Sequence, residues 1–244
     1  MFESYTDPNA FMEGTILLSP AHIASLIVTM VLIIFLYIFR EQFIIKRYGR
    51  WLIFLSLLGS EVWLNYWYLA TEMWDISYTL PFQLCSISLY LCMWMLLTKQ
   101  NWSFEVAYFL GIGGALQAIL TPELFYDFPH FRFIHFFIAH IAIILAVLYM
   151  IWVERRVIRI QSLWKAFGLL QIIALFVFFM NRLTGGNYMF LAKKPSSASL
   201  IDFLGPYPWY ILSLEIVVLS LFFILYAPFL LLHRKKTTQK ASQH

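Results

Sequence analysis

Seven apolar runs organise the chain, at roughly 19–39, 51–70, 79–98, 103–121, 131–153, 163–183 and 207–232, separated by shorter polar or Gly/Pro-marked segments. Each is near the ~20 residues that an α-helix needs to cross a bilayer. Unbroken runs of this length, with no ten-residue alternation of apolar and polar positions, exclude a transmembrane barrel and leave helices, whose backbone groups are satisfied within the segment. The fourth run is the least uniform because it holds Gly111, Gly113 and Gly114. Even so, Gly111, Ala115 and Ala118 make a small-residue stripe suited to close helix packing. The pattern therefore predicts an all-α, polytopic membrane protein: an outer segment over 1–18, a seven-helix membrane domain over 19–232, and a short, polar, disordered cytoplasmic tail over 233–244.

Composition strengthens this reading. The chain has 244 residues, 61% of them hydrophobic and 12% charged, with a mean hydropathy of +0.75. A soluble domain is about a quarter charged, so lipid is the solvent and one membrane domain is the economical count. The net charge of +4 would suit nucleic acid if it formed a patch, but the cations flank the apolar runs and so carry topology. With the N-terminus outside, thirteen of the seventeen Lys and Arg residues fall on the cytoplasmic side, including Arg40, Lys46, Arg47, Arg50, Arg155, Arg156 and Arg159. Arg132, Arg182, Lys193 and Lys194 remain outside. Seven spans satisfy the positive-inside rule; six would put two basic clusters on opposite sides. Glu3, Asp7 and Glu13 precede the first run with no Lys or Arg, which is the wrong start for a cleaved signal and reads as a retained first span. The expected location is the cell membrane, multi-pass, in a bacterial plasma membrane.

Polar residues inside a bilayer are costly and mark function or helix bridging. Here they gather in the outer leaflet. Gln83 and Cys85 lie near the outer end of the third span and Gln117 near that of the fourth. His130, His135 and His140 descend the fifth, Asn181 caps the sixth, and Asn187 and Tyr188 follow it. Asn65 is in the outer half of the second span, with Glu61 and Glu215 deeper. This asymmetry suits a cavity opening to the outer leaflet rather than a path through the membrane.

A thiol deprotonated by an imidazole can attack an ester carbonyl and form a thioester. Cys85 is about 9 Å inside its predicted span, between the depths of His135 and His140, and these two are about 140° apart on one helix. Gln83, Gln117, Asn181 and Asn187 are candidates to hold substrate or an oxyanion. Against this stands the plainer reading, in which a lone cysteine in a span is a small apolar side chain and the histidines bridge helices. Cys85 and Cys92 are seven residues and roughly 10 Å apart along one helix, too far for a disulfide. There is no CxxC or His/Cys metal spacing, and the five-residue spacing of His130, His135 and His140 is poor for ligation from one helix face. The 184–206 connection, with Gly185-Gly186 at its start and Leu200, Ile201, Phe203 and Leu204 on a predicted short helix, reads as an outer loop lying in the interface or over a site.

The segments Pro81-Phe82-Gln83-Leu84-Cys85-Ser86, Gly113-Gly114-Ala115-Leu116-Gln117, Phe128-Pro129-His130 through His140, and Gly185-Gly186-Asn187-Tyr188 followed by Lys194-Pro195 resemble the YwaF-like family of bacterial integral membrane proteins over nearly the whole chain. That family is related to a vertebrate seven-span acyltransferase that remodels ether phospholipids with a cysteine. The resemblance implies Cys85 as nucleophile and His140 as base, since Phe136-Phe137-Ile138-Ala139-His140 is similar to the aromatic-aromatic-x-x-His pattern there. The expectation is a membrane-embedded acyltransferase or transacylase acting on phospholipids or lysophospholipids, with no cofactor and no nucleic acid. Its substrate-binding set would be Gln83, Gln117, His135, Asn181, Asn187 and Tyr188. The alternatives are a non-enzymatic small-molecule or lipid receptor or carrier with an outer-leaflet pocket, and a lipid hydrolase of the same geometry.

Overall fold

A computed structural model describes residues 3–12, 14–195 and 200–241, so Glu13 and residues 196–199 of the long loop lie outside the described residues. After a single helical turn, Glu3–Thr6, seven helices follow: α1 (Pro20–Phe39), α2 (Arg50–Ala70), α3 (Leu84–Thr98), α4 (Asn101–Leu120), α5 (Phe131–Trp152), α6 (Ile160–Thr184) and α7 (Trp209–Ala241). No strand occurs among the described residues. Five helices, α1, α4, α5, α6 and the first 23 residues of α7, are long and apolar enough to cross a membrane. α2 is of similar length, 21 residues, but carries Glu61, Asn65 and several Trp and Tyr.

The largest departure from the sequence pattern is at α3. The apolar run from residue 79 predicts a full span, yet the helix starts at Leu84 and has 15 residues, about 22 Å against a hydrocarbon core of ~30 Å. Pro81 lacks an N–H and restricts the residue before it, so helix does not propagate back through it. Residues 76–80 are instead held by the long loop, as described below. At its other end α3 stops at Lys99, whose left-handed φ of 54° turns the chain at once into α4.

Other boundaries follow the sequence closely. Pro20 opens α1, where the missing N–H is harmless, and the Ser19 hydroxyl accepts from the His22 N–H at 3.2 Å. His130 opens α5, its Nδ1 accepting from the Arg132 N–H at 3.1 Å. Gly185, at φ +71°, ends α6 in the left-handed conformation that glycine adopts without strain. One boundary differs: α7 continues nine residues past the predicted span, to Ala241, through most of the tail expected to be disordered. The short helix expected in the 184–206 loop is a 3-10 turn over Leu200–Leu204.

α4 and α5 form the centre of the bundle. In their apolar windows 72% and 61% of residues are buried, against 17%, 22% and 11% for α1, α6 and α7. The small residues of α4 make this possible. A Cβ on Gly111 would stand 3.2 Å from Ile143 Cγ2 of α5 and 3.7 Å from Cys92 Sγ of α3, and one on Gly113 would stand 3.2 Å from Leu221 of α7. The glycines that weaken the apolar pattern are thus the ones that bring four helices together.

At the end where the basic residues lie, ion pairs and hydrogen bonds set the helices level. Lys99 Nζ meets Glu154 at 2.5 Å, Arg156 donates to the Lys99 carbonyl at 2.8 Å, and Lys165 reaches the buried Glu105 at 2.8 Å. Glu41 takes both Lys46, at 2.8 Å, and Arg155. At the opposite end the N-terminal segment is strapped down. Trp67 Nε1, His130 Nε2 and the Tyr126 hydroxyl donate to the successive carbonyls of Thr6 (2.9 Å), Asp7 (3.1 Å) and Pro8 (2.9 Å).

Candidate functional site

Cys85 is the second residue of α3. The sequence pattern put it a turn and a half inside a span; the late helix start puts it at the helix mouth instead. No hydrogen bond is made by the backbone N–H groups of Leu84, Cys85 and Ser86, the first bond of the helix running from the Ile87 N–H to the Gln83 carbonyl. Free N–H groups and the positive end of the helix dipole favour negative charge at this position. The Cys85 thiol is half-buried and lies against α4, where a Cβ on Gly114 would be 3.9 Å from Sγ. Cys92, two turns below, is fully buried beside Gly111. Both cysteines are free.

His140 is buried in α5, at 7% exposure. Its Nδ1 lies 2.6 Å from the Phe136 carbonyl, a contact that requires Nδ1 to carry the proton and leaves Nε2 as a bare acceptor. No hydrogen bond occupies Nε2, and none joins the ring to Cys85. Helix rise gives the pair's approximate heights. Counted from the ion-paired ends, Cys85 lies about 20 Å up α3 and His140 about 18 Å up α5. Lower in the bundle, a Cβ on Gly111 would meet both Cys92 of α3 and Ile143 of α5; Cys85, beside Gly114, stands two turns above Cys92, and His140 stands one turn above Ile143. α3, α4 and α5 are in mutual contact.

His135 points elsewhere. It is one and a half turns above His140, on the side of α5 that faces α2, next to the Ser60 backbone. Its Nε2 is buried without a partner, as are the hydroxyls of Ser60 in α2 and Ser88 in α3. Serines in this chain commonly donate to the carbonyl four residues back, as Ser25, Ser56 and Ser220 do. Ser60 and Ser88 turn away from that option and present open hydroxyls to the interior. Ser88 is one turn from Cys85 on the same helix, within the usual i,i+3 reach.

Most remaining candidates prove to be braces for the loop after α6. The Asn181 side chain accepts from the Tyr188 N–H at 2.7 Å and donates to the Tyr188 carbonyl at 2.9 Å. Asn187 accepts from the N–H groups of Ala192 and Lys193 and donates to the Lys193 carbonyl at 2.9 Å. Tyr188, 1% exposed, donates from its hydroxyl to the Ile76 carbonyl at 2.8 Å and accepts from the Leu80 N–H at 3.0 Å. Burial pushes its phenol pKa up. Gln83 Oε1 accepts from the Met189 N–H at 3.0 Å, leaving only its NH₂ open. Gln117 donates to the Thr121 hydroxyl at 2.5 Å. The bonds of Tyr188 and Gln83 fix residues 76–83 and hence the start of α3. The groups that sequence reasoning missed are the three free N–H groups at the mouth of α3, whose only signal was the proline at 81.

His130 does not join the others. It is buried at the outer end of α5, stacked on Tyr126 at 4.2 Å and 11°. Burial pushes its pKa down, as does the neighbouring Arg132, while the bond to the Asp7 carbonyl opposes the shift. The two deeper acids find neighbouring-helix donors: Glu61 accepts from Tyr90 at 2.7 Å and Glu215 from Gln171 at 2.6 Å. No three His, Cys, Asp or Glu side chains among the described residues come together in a metal-binding group.

The characteristic pattern of the TMEM164 family matches residues 17–226, which takes in α1 to α6, the long loop and most of α7. The chain belongs to the TMEM164 family. Its place there agrees with the several apolar helices and makes it a multi-pass membrane protein of that family. The match covers Cys85, His140, Tyr188 and the strap-holding Trp67, Tyr126 and His130, so the elements that build the site all lie within the TMEM164 region. No curated protein and no solved structure matches the chain.

Proposed function

We propose that this TMEM164-family protein is a membrane-embedded acyltransferase, or transacylase, that remodels phospholipids or lysophospholipids through a thioester on Cys85. The observation that carries this reading is the thiol at the mouth of α3, among three unused N–H groups, on a helix packed against the one that bears a histidine whose Nε2 is bare. The resemblance to YwaF-like bacterial membrane proteins, and through them to an ether-phospholipid acyltransferase, supports it. In this reading α2 and α3 also traverse the membrane, giving seven spans with the N-terminus outside and the C-terminus inside. The basic residues and their ion pairs at one end support that orientation, and the location is a bacterial plasma membrane.

The chemistry balances as follows. His140 Nε2 takes the Cys85 proton, and the thiolate attacks the ester carbonyl of a donor phospholipid. The tetrahedral oxyanion is met by the free N–H groups at the mouth of α3. Collapse breaks the C–O bond, and the departing alkoxide takes the proton back from His140 and leaves as lysophospholipid. His140 then deprotonates the acceptor hydroxyl, which attacks the thioester and restores the thiol. The absence of a direct Cys85–His140 bond does not oppose this, since catalytic hydrogen bonds are often long before substrate binds. It is also the one observation that favours the second reading, a non-enzymatic lipid or small-molecule carrier. A hydrolase would follow the same steps with water as acceptor.

The test is incubation of the purified protein in lipid with an alkyne-tagged phospholipid and a lysophospholipid, comparing wild type, Cys85→Ala and His140→Ala. The expected result is acyl transfer that falls at least about 10²-fold in both variants, and a hydroxylamine-sensitive adduct absent from Cys85→Ala. Transfer that persists in Cys85→Ala removes the assigned nucleophile. No transfer across a broad lipid panel favours the carrier.

A further inference from the structure

α2 and α3 leave a groove of about 490 Å³ between them on their outer side, walled by Leu58, Val62, Leu69 and Met93. This is within the ~300–1,000 Å³ range of small-molecule sites. Glu61 lines it. Eleven residues separate it from the start of α2 and nine from the end, so it lies about 16 Å from one end and 13 Å from the other, close to the middle of a bilayer.

The hydrogen bonding of this carboxyl is lopsided. Asn65 Nδ2, at 3.0 Å, and the Tyr90 hydroxyl, at 2.7 Å, both donate to Oε1. Oε2 has no partner. By contrast, both oxygens of Glu105 are engaged, by Asn101 and Lys165. A carboxyl at mid-membrane depth with one oxygen turned to a lipid-side groove is costly unless something meets it.

We propose that the groove binds an aliphatic alcohol: a neutral lipid whose hydroxyl meets Glu61 Oε2 while its hydrocarbon lies along Leu58, Val62, Leu69 and Met93. A hydroxyl serves either form of the acid, donating to a carboxylate and accepting from a carboxylic acid. An ammonium serves only the first and an ester carbonyl only the second. Charged and zwitterionic headgroups stay at the interface, more than a dozen ångström away, whereas a single hydroxyl enters hydrocarbon at far lower cost. Asn65 Nδ2 and the Tyr90 O–H are already engaged with Glu61, so the open polar atoms of this pair of side chains are acceptors, Glu61 Oε2 and Asn65 Oδ1, which a ligand hydroxyl meets by donating.

The site is distinct from the thiol. Tyr90 is five residues beyond Cys85, about 140° around α3, so the groove opens on the side of α3 away from Gly114. It rests on α2 crossing the membrane as proposed above, and stands whether or not Cys85 carries acyl groups.

The experiment uses the full chain in lipid nanodiscs and three C16 probes bearing the same mid-chain diazirine: the primary alcohol, its methyl ether and the hydrocarbon. After irradiation, labelled peptides of α2 and α3 are measured by mass spectrometry. The alcohol is expected to label them at least tenfold more than the ether or the hydrocarbon, and excess unlabelled hexadecanol should suppress that signal. Glu61→Leu, a substitution suited to a lipid-facing position, should bring alcohol labelling down to the ether's level with the thermal unfolding temperature unchanged or raised. Equal labelling by all three probes overturns the proposal, as does alcohol labelling that survives in Glu61→Leu. A crosslink from the groove to a second copy of the chain, with the probe excluded, overturns it in favour of a protein interface.

Discussion

Single atoms decide several outcomes in this protein, and its glycines make the point. A Cβ on Gly186 would sit 2.4 Å from the Ser77 carbonyl oxygen and 2.9 Å from the Tyr188 ring. The first of these neighbours is backbone and cannot swing aside. Gly186→Ala is therefore expected to destabilise the protein by on the order of 3 kcal/mol, seen as a fall in the unfolding temperature and faster proteolysis of the 185–205 loop. At Gly114 the same Cβ meets Leu84 at 3.6 Å and Cys85 Sγ at 3.9 Å, ordinary contacts. Gly114→Ala should leave stability within about 1 kcal/mol of wild type, and a larger loss would mean that α3 and α4 sit closer than these distances imply. Both glycines stand out in the sequence, but only their neighbours in space separate them.

At the scale of elements, the loop after α6 and the start of α3 behave as one unit. Tyr188→Phe keeps the ring between Phe82 and its neighbours but strands the Leu80 N–H and the Ile76 carbonyl. The expected cost is about 1–3 kcal/mol, with hydrogen exchange rising at residues 76–83 and, on the proposed function, reduced acyl transfer through a displaced Cys85. Protection unchanged at 76–83 would show that the tyrosine hydroxyl does not hold the helix mouth.

The N-terminal strap gives an element-scale pH dependence. His130 has a depressed pKa when folded because it is buried, so between its folded value and the unfolded value of about 6.5 the unfolded chain binds more protons. Stability is then complete above about pH 6.5 and falls as the pH drops through that window. Protonation also removes the Nδ1 acceptor for the Arg132 N–H. Faster exchange at residues 6–12 below pH 6.5, abolished in His130→Gln, is the expected signature; exchange that changes equally in the variant would place the titrating group elsewhere.

For the whole molecule, the proposed orientation puts the strap outside and the Lys99–Glu154–Arg156 cluster inside. With Cys85 and Cys92 buried or half-buried, Asp7→Cys should react with a membrane-impermeant maleimide on intact cells, while Arg155→Cys should react only after permeabilisation. The reverse pattern would invert the topology and, with it, the outer-leaflet placement of Cys85.

Apolar periodicity, composition and charge flanking were enough to determine an all-helical membrane protein and the approximate position of every long helix, because in lipid each helix must satisfy its own backbone and cannot borrow from distant residues. The choice of His140 as the proposed partner of Cys85 came only through resemblance, and the candidate set around it was legible as polar residues in one leaflet but not as roles. Asn181, Asn187 and Tyr188 looked like substrate contacts and turned out to bond backbone, since a side-chain amide reads the same in sequence whether it faces a ligand or a loop. The start of α3 was misread for a related reason: residues 79–83 are apolar enough to continue a helix, and what holds them out of one is Pro81 together with a tyrosine more than a hundred positions away. The proline was legible in the sequence, but only the tertiary structure showed the tyrosine that holds residues 76–80, and with it the placement of Cys85 at a helix mouth with unused N–H groups.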